Sequence, residues 1–324
     1  QSKAVVSEPA PEPEAAKPAP PPRPARPRPQ PASPDSSAAF VPMAPATLEE
    51  AGLSASEGEA LVLKFLLNRG VATGCEIAAQ VRLPFGLVAN LLRQAKAERL
   101  VVYKSAAPMS DYVYELTELG HDRARRYSRQ CTFFASKTQW NISYVASVHA
   151  QSVTLQKPRM AEVRSALADL ILSPEIFSQL GQAVNSGLVL FLYGAPGSEK
   201  TSIAERITRA FGECVWLPRA ISVVGEMIRV YDPSNHEAAP PSRDEVGDPS
   251  TIDQRWIRIR RPTIVVGGEL TMDNLEITTN ASTRISEAPL QMKANCGALV
   301  IDDFGRQRIG PAELLNRWIV PLEK

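Results

Sequence analysis

The residues best placed to do chemistry are Lys200 and Thr201, which close the run Gly194-Ala195-Pro196-Gly197-Ser198-Glu199-Lys200-Thr201. An ammonium and a hydroxyl beside paired glycines suit the binding of phosphate groups. Gly194 and Gly197 allow main-chain amides to approach an anion closely. Lys200 would act on the outer phosphates as a point charge and as a catalytic group, and Thr201 would offer its hydroxyl to Mg2+. Ala195, Pro196, Ser198, Glu199 and Ser202 complete the expected phosphate-binding set. The run matches G-x-x-x-x-G-K-[ST] except at Glu199, where the pattern has glycine. At roughly 5 Å and an effective dielectric of about 20, repulsion between this carboxylate and a phosphate charge is on the order of 3 kcal/mol, about a hundredfold in affinity. A side chain directed into solvent would escape most of that penalty by screening.

A second acidic motif lies about a hundred residues on, in Ala298-Leu299-Val300-Ile301-Asp302-Asp303. An apolar strand ending in two carboxylates would carry them to a sheet edge, where open α/β sheets bind ligands. Asp302 is expected to hold magnesium opposite Thr201, and Asp303 to orient or polarise an attacking water. To position these groups the sequence offers an apolar, strand-like run, Leu188 to Tyr193, before the loop and a helix-like segment from Ser202 to Ile207 after it. Two further helices are predicted upstream, Ala161 to Leu172 and Pro174 to Val184.

With both motifs in view, residues 160–324 resemble the AAA+ ATPase family of P-loop NTPases. The resemblance implies an α/β P-loop core, ATP and Mg2+ as ligands, and homo-oligomeric rings or arcs in which a neighbouring subunit completes the site. It also implies that ATP hydrolysis drives remodelling of a macromolecular partner. The family's sensor strand, arginine finger and helical lid are not located, so the core is expected to lack its C-terminal strands and lid. Gln1 in place of methionine suggests a fragment at the other end as well. A degenerate nucleotide site, or one that serves only as a switch, is the alternative that Glu199 leaves open.

Residues 51–130 predict a compact helical unit. Helices are expected from Glu57 to Asn68, Gly74 to Val81 and Pro84 to Glu98, then two strands, Leu100 to Tyr103 and Tyr112 to Leu116, and a last helix from Glu118. Three helices with a two-stranded wing resemble the winged-helix family, as does the turn Leu116-Thr117-Glu118-Leu119-Gly120. Asn90, Arg93, Gln94 and Lys96 on the third helix would face a DNA groove, with Lys104 and the Arg123 to Arg129 cluster on phosphates. Phe85, Leu87 and Val88 are poor readers of base edges, so a protein partner stands beside DNA as the alternative.

Residues 131–159 read as a connector with aromatic anchors Phe133, Phe134, Trp140 and Tyr144. Between the motifs, Ala220 to Val224 and Met227 to Tyr231 predict a hairpin, followed by an acidic, proline-rich loop through Asp244, Glu245 and Asp248. Arg255 to Arg261 alternates basic and apolar residues, which makes Trp256 and its arginines candidates for partner contact. Residues 1–50 are expected to form a Pro/Ala-rich disordered tether, because about half of the chain's 28 prolines fall there and so little apolar surface cannot offset ordering entropy. A net charge of +1 argues against a wholly basic nucleic-acid coat. Four separated cysteines, Cys75, Cys131, Cys214 and Cys296, read as reduced thiols of a cytoplasmic protein. No apolar run approaches the ~20 residues needed to cross a bilayer, so no membrane insertion is expected.

Overall fold

The computed structural model describes residues 40–133, 135–139, 143–187, 189–195, 197–223, 226–240 and 248–323. It combines helices with several small sheets in a mixed α/β arrangement. The described residues carry four larger hydrophobic clusters and one small one.

The first cluster organises the N-terminal helical part. α1 (Ala55–Arg69), α2 (Gly74–Val81) and α3 (Phe85–Ala97) bury Leu63, Leu66, Ile77, Val88 and Leu92 against one another. The first two begin at capping boxes, Ser54 with Glu57 and Thr73 with Glu76, which satisfy amides that a helix start leaves without partners. β1 (Val71–Thr73), β2 (Val101–Ala107) and β3 (Asp111–Leu116) form a three-stranded antiparallel sheet with β3 central. α4 (Glu118–Gln130) packs back on α1, and its Arg123 pairs with Glu59 at 3.0 Å and Glu98 at 2.7 Å. Arg123 is thus held by internal carboxylates, while Arg125, Arg126 and Arg129 are exposed.

Residues 40–50, grouped with the tether on composition, are ordered by contacts far along the chain. Ala44 N donates to Thr251 O, Asp253 N donates to Pro42 O, and Phe40 packs on Trp256 with ring centroids 5.4 Å apart. Residues 1–39 lie outside the described residues.

The middle of the chain builds a five-stranded sheet in the order β10-β11-β7-β6-β4, from β4 (Thr138–Gln139), β6 (Ala220–Val223), β7 (Glu226–Arg229), β10 (Thr278–Asn280) and β11 (Ile285–Glu287). The predicted hairpin is the antiparallel β6–β7 pair. Within the predicted connector, α5 (Val145–Gln151) follows Tyr144, which is buried and accepts a hydrogen bond from Asn295 Nδ2. Phe134, Trp140 and the acidic segment 241–247 fall outside the described residues.

The alternating strand after that segment is β8 (Trp256–Arg260), paired antiparallel with β5 (Cys214–Pro218). The burial of Trp256 and the internal bonding of Arg255 and Arg261 run against partner contact through them, while Arg260 is exposed. Trp256 is buried with Trp216 and Ile252. Arg255 is buried and bonded to Asp253, Ala51 O and Lys137 O. Arg260 pairs with Glu237, and Arg261 donates to the carbonyls of Phe211, Gly212, Gln151 and Cys296. The physical reason is that β8 is covered on both faces, Trp256 in one hydrophobic cluster and Ile257 and Ile259 in another, so the flanking Arg255 and Arg261 lie against loops that present carbonyls and carboxylates.

Candidate phosphate and metal site

The two sequence motifs belong to different hydrophobic clusters. α8 (Lys200–Arg206) rests through Ile203 on a cluster with Val163 and Leu167, from α6 (Met160–Ala166) and its C-terminal turn, and Leu180 of α7 (Pro174–Ser186). α6 ends six residues short of the helix predicted to reach Leu172. β12 (Ala298–Ile301) pairs in parallel with β9 (Thr263–Val266), and both pack on Leu270, Leu275, Ile309 and Leu314. Parallel pairing in register brings the C-terminal ends of both strands to one edge, and Asp302 N extends the ladder by donating to Val266 O at 2.8 Å. Gly297 makes this alignment possible. A Cβ there would lie 1.9 Å from Pro262 O, so any side chain would push β12 away from β9.

The run before the loop differs from its predicted form. Residues 189–193 make no ladder, and Leu188 lies outside the described residues. Leu190 and Leu192 pack on the α6–α8 cluster, while Val189, Phe191 and Tyr193 are exposed. An apolar run alone does not make a strand; a neighbouring edge must accept its hydrogen bonds.

Within the loop, Lys200 Nζ donates to Gly194 O at 3.2 Å and Ala195 O at 2.9 Å, folding the ammonium over the loop's own main chain. Ser198 Oγ also donates to Ala195 O. Gly197 adopts φ 81°, which favours glycine. Glu199 sits at φ 56° and ψ 20°, in the left-handed region, as the residue preceding α8. The position that the pattern reserves for glycine therefore has glycine's backbone conformation, and a carboxylate-bearing residue occupies it at a cost of roughly 1–2 kcal/mol. Its side chain is exposed, which favours screening over a buried repulsion. Pro196 lies outside the described residues. Ser202 lies in the first turn of α8, and its carbonyl accepts from Arg206 Nη1 at 3.0 Å.

Thr201 Oγ1 donates to Asp302 Oδ2 at 3.0 Å, so the structure brings the two motifs together. Thr208 and Thr263 hydroxyls meet at 2.5 Å, a second link between the α8 segment and the β9–β12 pair. The other oxygen of Asp302 accepts from Asp303 N at 2.9 Å. Asp303 turns outward at φ 49°, exposed, with Arg306 3.6 Å away. A hydroxyl and a carboxylate at contact distance are hard oxygen donors that suit Mg2+ rather than a soft metal. Two cavities lie elsewhere, of about 450 Å3 around Lys64, Tyr127 and Arg284 and about 630 Å3 around Glu205, Arg209 and Asn235.

Two features at this edge went unread in the sequence. Gln307 donates from Nε2 to Asp302 O at 2.8 Å and Asp303 O at 3.1 Å, and its Oε1 accepts from Gly305 N at 2.7 Å. Gly267-Gly268-Glu269 leaves β9 beside it, with Glu269 Oε1 accepting from Gly267 N. That amide bond holds the Glu269 carboxyl below its ordinary range. A glycine pair ending an apolar strand, and an amide side chain just after the acidic pair, were the available signals. Among the described residues, no helix is long and apolar enough by itself to cross a membrane, and no group of three or more His, Cys, Asp or Glu side chains is arranged to hold a metal. The chain matches no protein-family model and no curated protein sequence.

Proposed function

We propose that the chain is an ATP-binding, AAA+-like ATPase in which residues 160–324 form the nucleotide-binding part and residues 51–130 a winged-helix-like module. The observation that carries this reading is the 3.0 Å contact between Thr201 and Asp302, the two positions at which the two motifs would share one magnesium ion. Lys200 supports it, because among the described residues its ammonium bonds main-chain carbonyls, which it can exchange for phosphate oxygens. Thr201 and Asp302 would hold Mg2+, which when bound neutralises charge on the outer phosphates. Lys200 would bind and orient those phosphates, and Asp303, exposed at the same corner, would orient the attacking water and accept its proton. A ring or arc of copies and a remodelled macromolecular partner belong to the same proposal.

Titration with a fluorescent ATP analogue, with and without Mg2+, tests the reading. Micromolar binding that strengthens with Mg2+ and is lost in Lys200→Ala is the expected result. Absence of binding in the parent chain rules it out.

The second reading is a DNA-binding regulator whose nucleotide site serves as a switch or is degenerate. It rests on the exposed Asn90, Arg93, Gln94 and Lys96 of α3. Lys96 lies 3.2 Å over the Tyr103 ring, which ties α3 to the β2–β3 hairpin and gives one continuous surface. Titration with duplex DNA decides: affinity that falls steeply with salt supports this reading, and no affinity removes it.

A further inference from the structure

The structure assigns Gln307 as the residue that positions the Asp302–Asp303 corner for the proposed hydrolysis, an inference that rests on the ATPase reading. The carboxamide has one orientation that satisfies all three partners. The carbonyls of Asp302 and Asp303 can only accept, so Nε2 faces them; Gly305 N can only donate, so Oε1 faces it. One half-buried side chain therefore closes the loop from Asp302 to Gly305 on itself. The clamp matters because Asp303 is held at φ 49°, a conformation that a non-glycine residue keeps only when its surroundings over-determine it. Arg306 N also donates to Asp303 O at 3.0 Å, but no other described side chain reaches both carbonyls of the acidic pair.

The corner in turn aims Asp302. Asp303 N holds one carboxylate oxygen and leaves the other on the Thr201 hydroxyl. Relaxation at Asp303 would release the first bond and let Asp302 swing away from Thr201. Among the described residues Gln307 makes its hydrogen bonds to Asp302, Asp303 and Gly305 and not to the phosphate-binding loop or Lys200, so its effect falls on metal use and turnover rather than on the grip of the loop on phosphates.

The test compares the parent chain with Gln307→Ala, Gln307→Glu and, as a control at the neighbouring exposed position, Arg308→Ala. Steady-state ATP turnover is measured across a Mg2+ titration, and binding of a fluorescent ATP analogue is measured without Mg2+. Both Gln307 variants are expected to lose at least tenfold in kcat and to need at least threefold more Mg2+ for half-maximal turnover. Mg2+-free binding should stay within twofold of the parent, and Arg308→Ala should resemble the parent. Gln307→Glu keeps the size and places an oxygen against two carbonyls, so it should be no more active than alanine. It carries the test if Gln307→Ala fails to fold by circular dichroism. An active parent with Gln307→Glu at parental kcat and Mg2+ dependence overturns this inference alone. A parent that takes up no ATP overturns it together with the ATPase reading.

Discussion

Thr201 Oγ1 and Asp302 Oδ2 stand 3.0 Å apart across 101 residues of sequence. Each is delivered by a different hydrophobic cluster, α8 by the one around Val163 and β12 by the one around Ile264. The bond is therefore a test point for the relative placement of both halves. In a double-mutant cycle with Thr201→Val and Asp302→Asn, coupling of about 1–3 kcal/mol in Mg2+-dependent ATP binding is expected for a charge-assisted bond. Additive effects would show that the two groups act separately.

At Glu199 two penalties coincide, a left-handed backbone and a carboxylate beside the loop. Replacement by glycine relieves about 1–2 kcal/mol of strain and adds about 0.5–1 kcal/mol of unfolded-chain entropy, so urea unfolding should show a net gain of about 0.5 kcal/mol. ATP binding should tighten by roughly tenfold, less than the full repulsion estimate because the side chain is exposed. Glu199→Gln separates the terms: it removes the charge and keeps the strain. Equal affinities for all three chains would show that the carboxylate does not act on the site.

His236 gives stability a pH dependence. Its Nδ1 accepts from Asp232 N at 3.0 Å and its Nε2 donates to Lys293 O at 2.9 Å, which fixes the neutral ring. Burial pushes its pKa down, reinforced by the Lys293 charge and opposed by the Lys293 carbonyl and Asp232; Tyr231 stacks on the ring. The Asp232 carboxyl, which burial would raise, is held well below its ordinary range by Lys293, Ser234 and Asn235. The unfolded chain thus takes up a proton that folded His236 refuses. This stabilisation is complete above about pH 6.5, the ordinary histidine value, and declines as pH falls toward the lower folded value. The midpoint temperature should drop between about pH 7 and about pH 5, and His236→Gln should flatten that slope. A slope unchanged in the variant would assign it to other groups.

Asp253 and Arg255 form a pair buried to 3% and 5% side-chain exposure. Arg255 also holds Ala51 O and Lys137 O, which joins the segment entering α1 to the turn before β8. Asp253→Ala leaves that guanidinium without its counter-charge and should cost about 3–5 kcal/mol. Limited proteolysis should then cut first within residues 40–53 or 248–256. Parental stability and cleavage would mean that the carbonyl partners alone suffice.

Local signals read well wherever the chain's own chemistry closes the structure. The apolar spacing placed α1 and α2 within two residues of their ends, because a helix satisfies its hydrogen bonds from its own sequence. The β6–β7 hairpin was legible for the same reason, its partner being adjacent. The phosphate-loop residues and the acidic pair were legible as residue types, since their chemistry is written in side chains and spacing.

What needed the tertiary structure was everything set by distant partners. The run 189–193 is apolar and strand-like, yet only an adjoining edge could make it a strand. The arginines around β8 looked free until the carbonyls of residues 151, 211, 212 and 296 were brought to Arg261. Glu199 was visible as a charge, whereas its left-handed backbone and exposure were not. The sequence alone determined which residue types, a lysine and a threonine after paired glycines and two aspartates ending an apolar run, stand at these positions. The tertiary structure decided that Thr201 and Asp302 meet and that Gln307 holds their corner, because hydrogen bonds across a hundred residues depend on packing that no local pattern encodes.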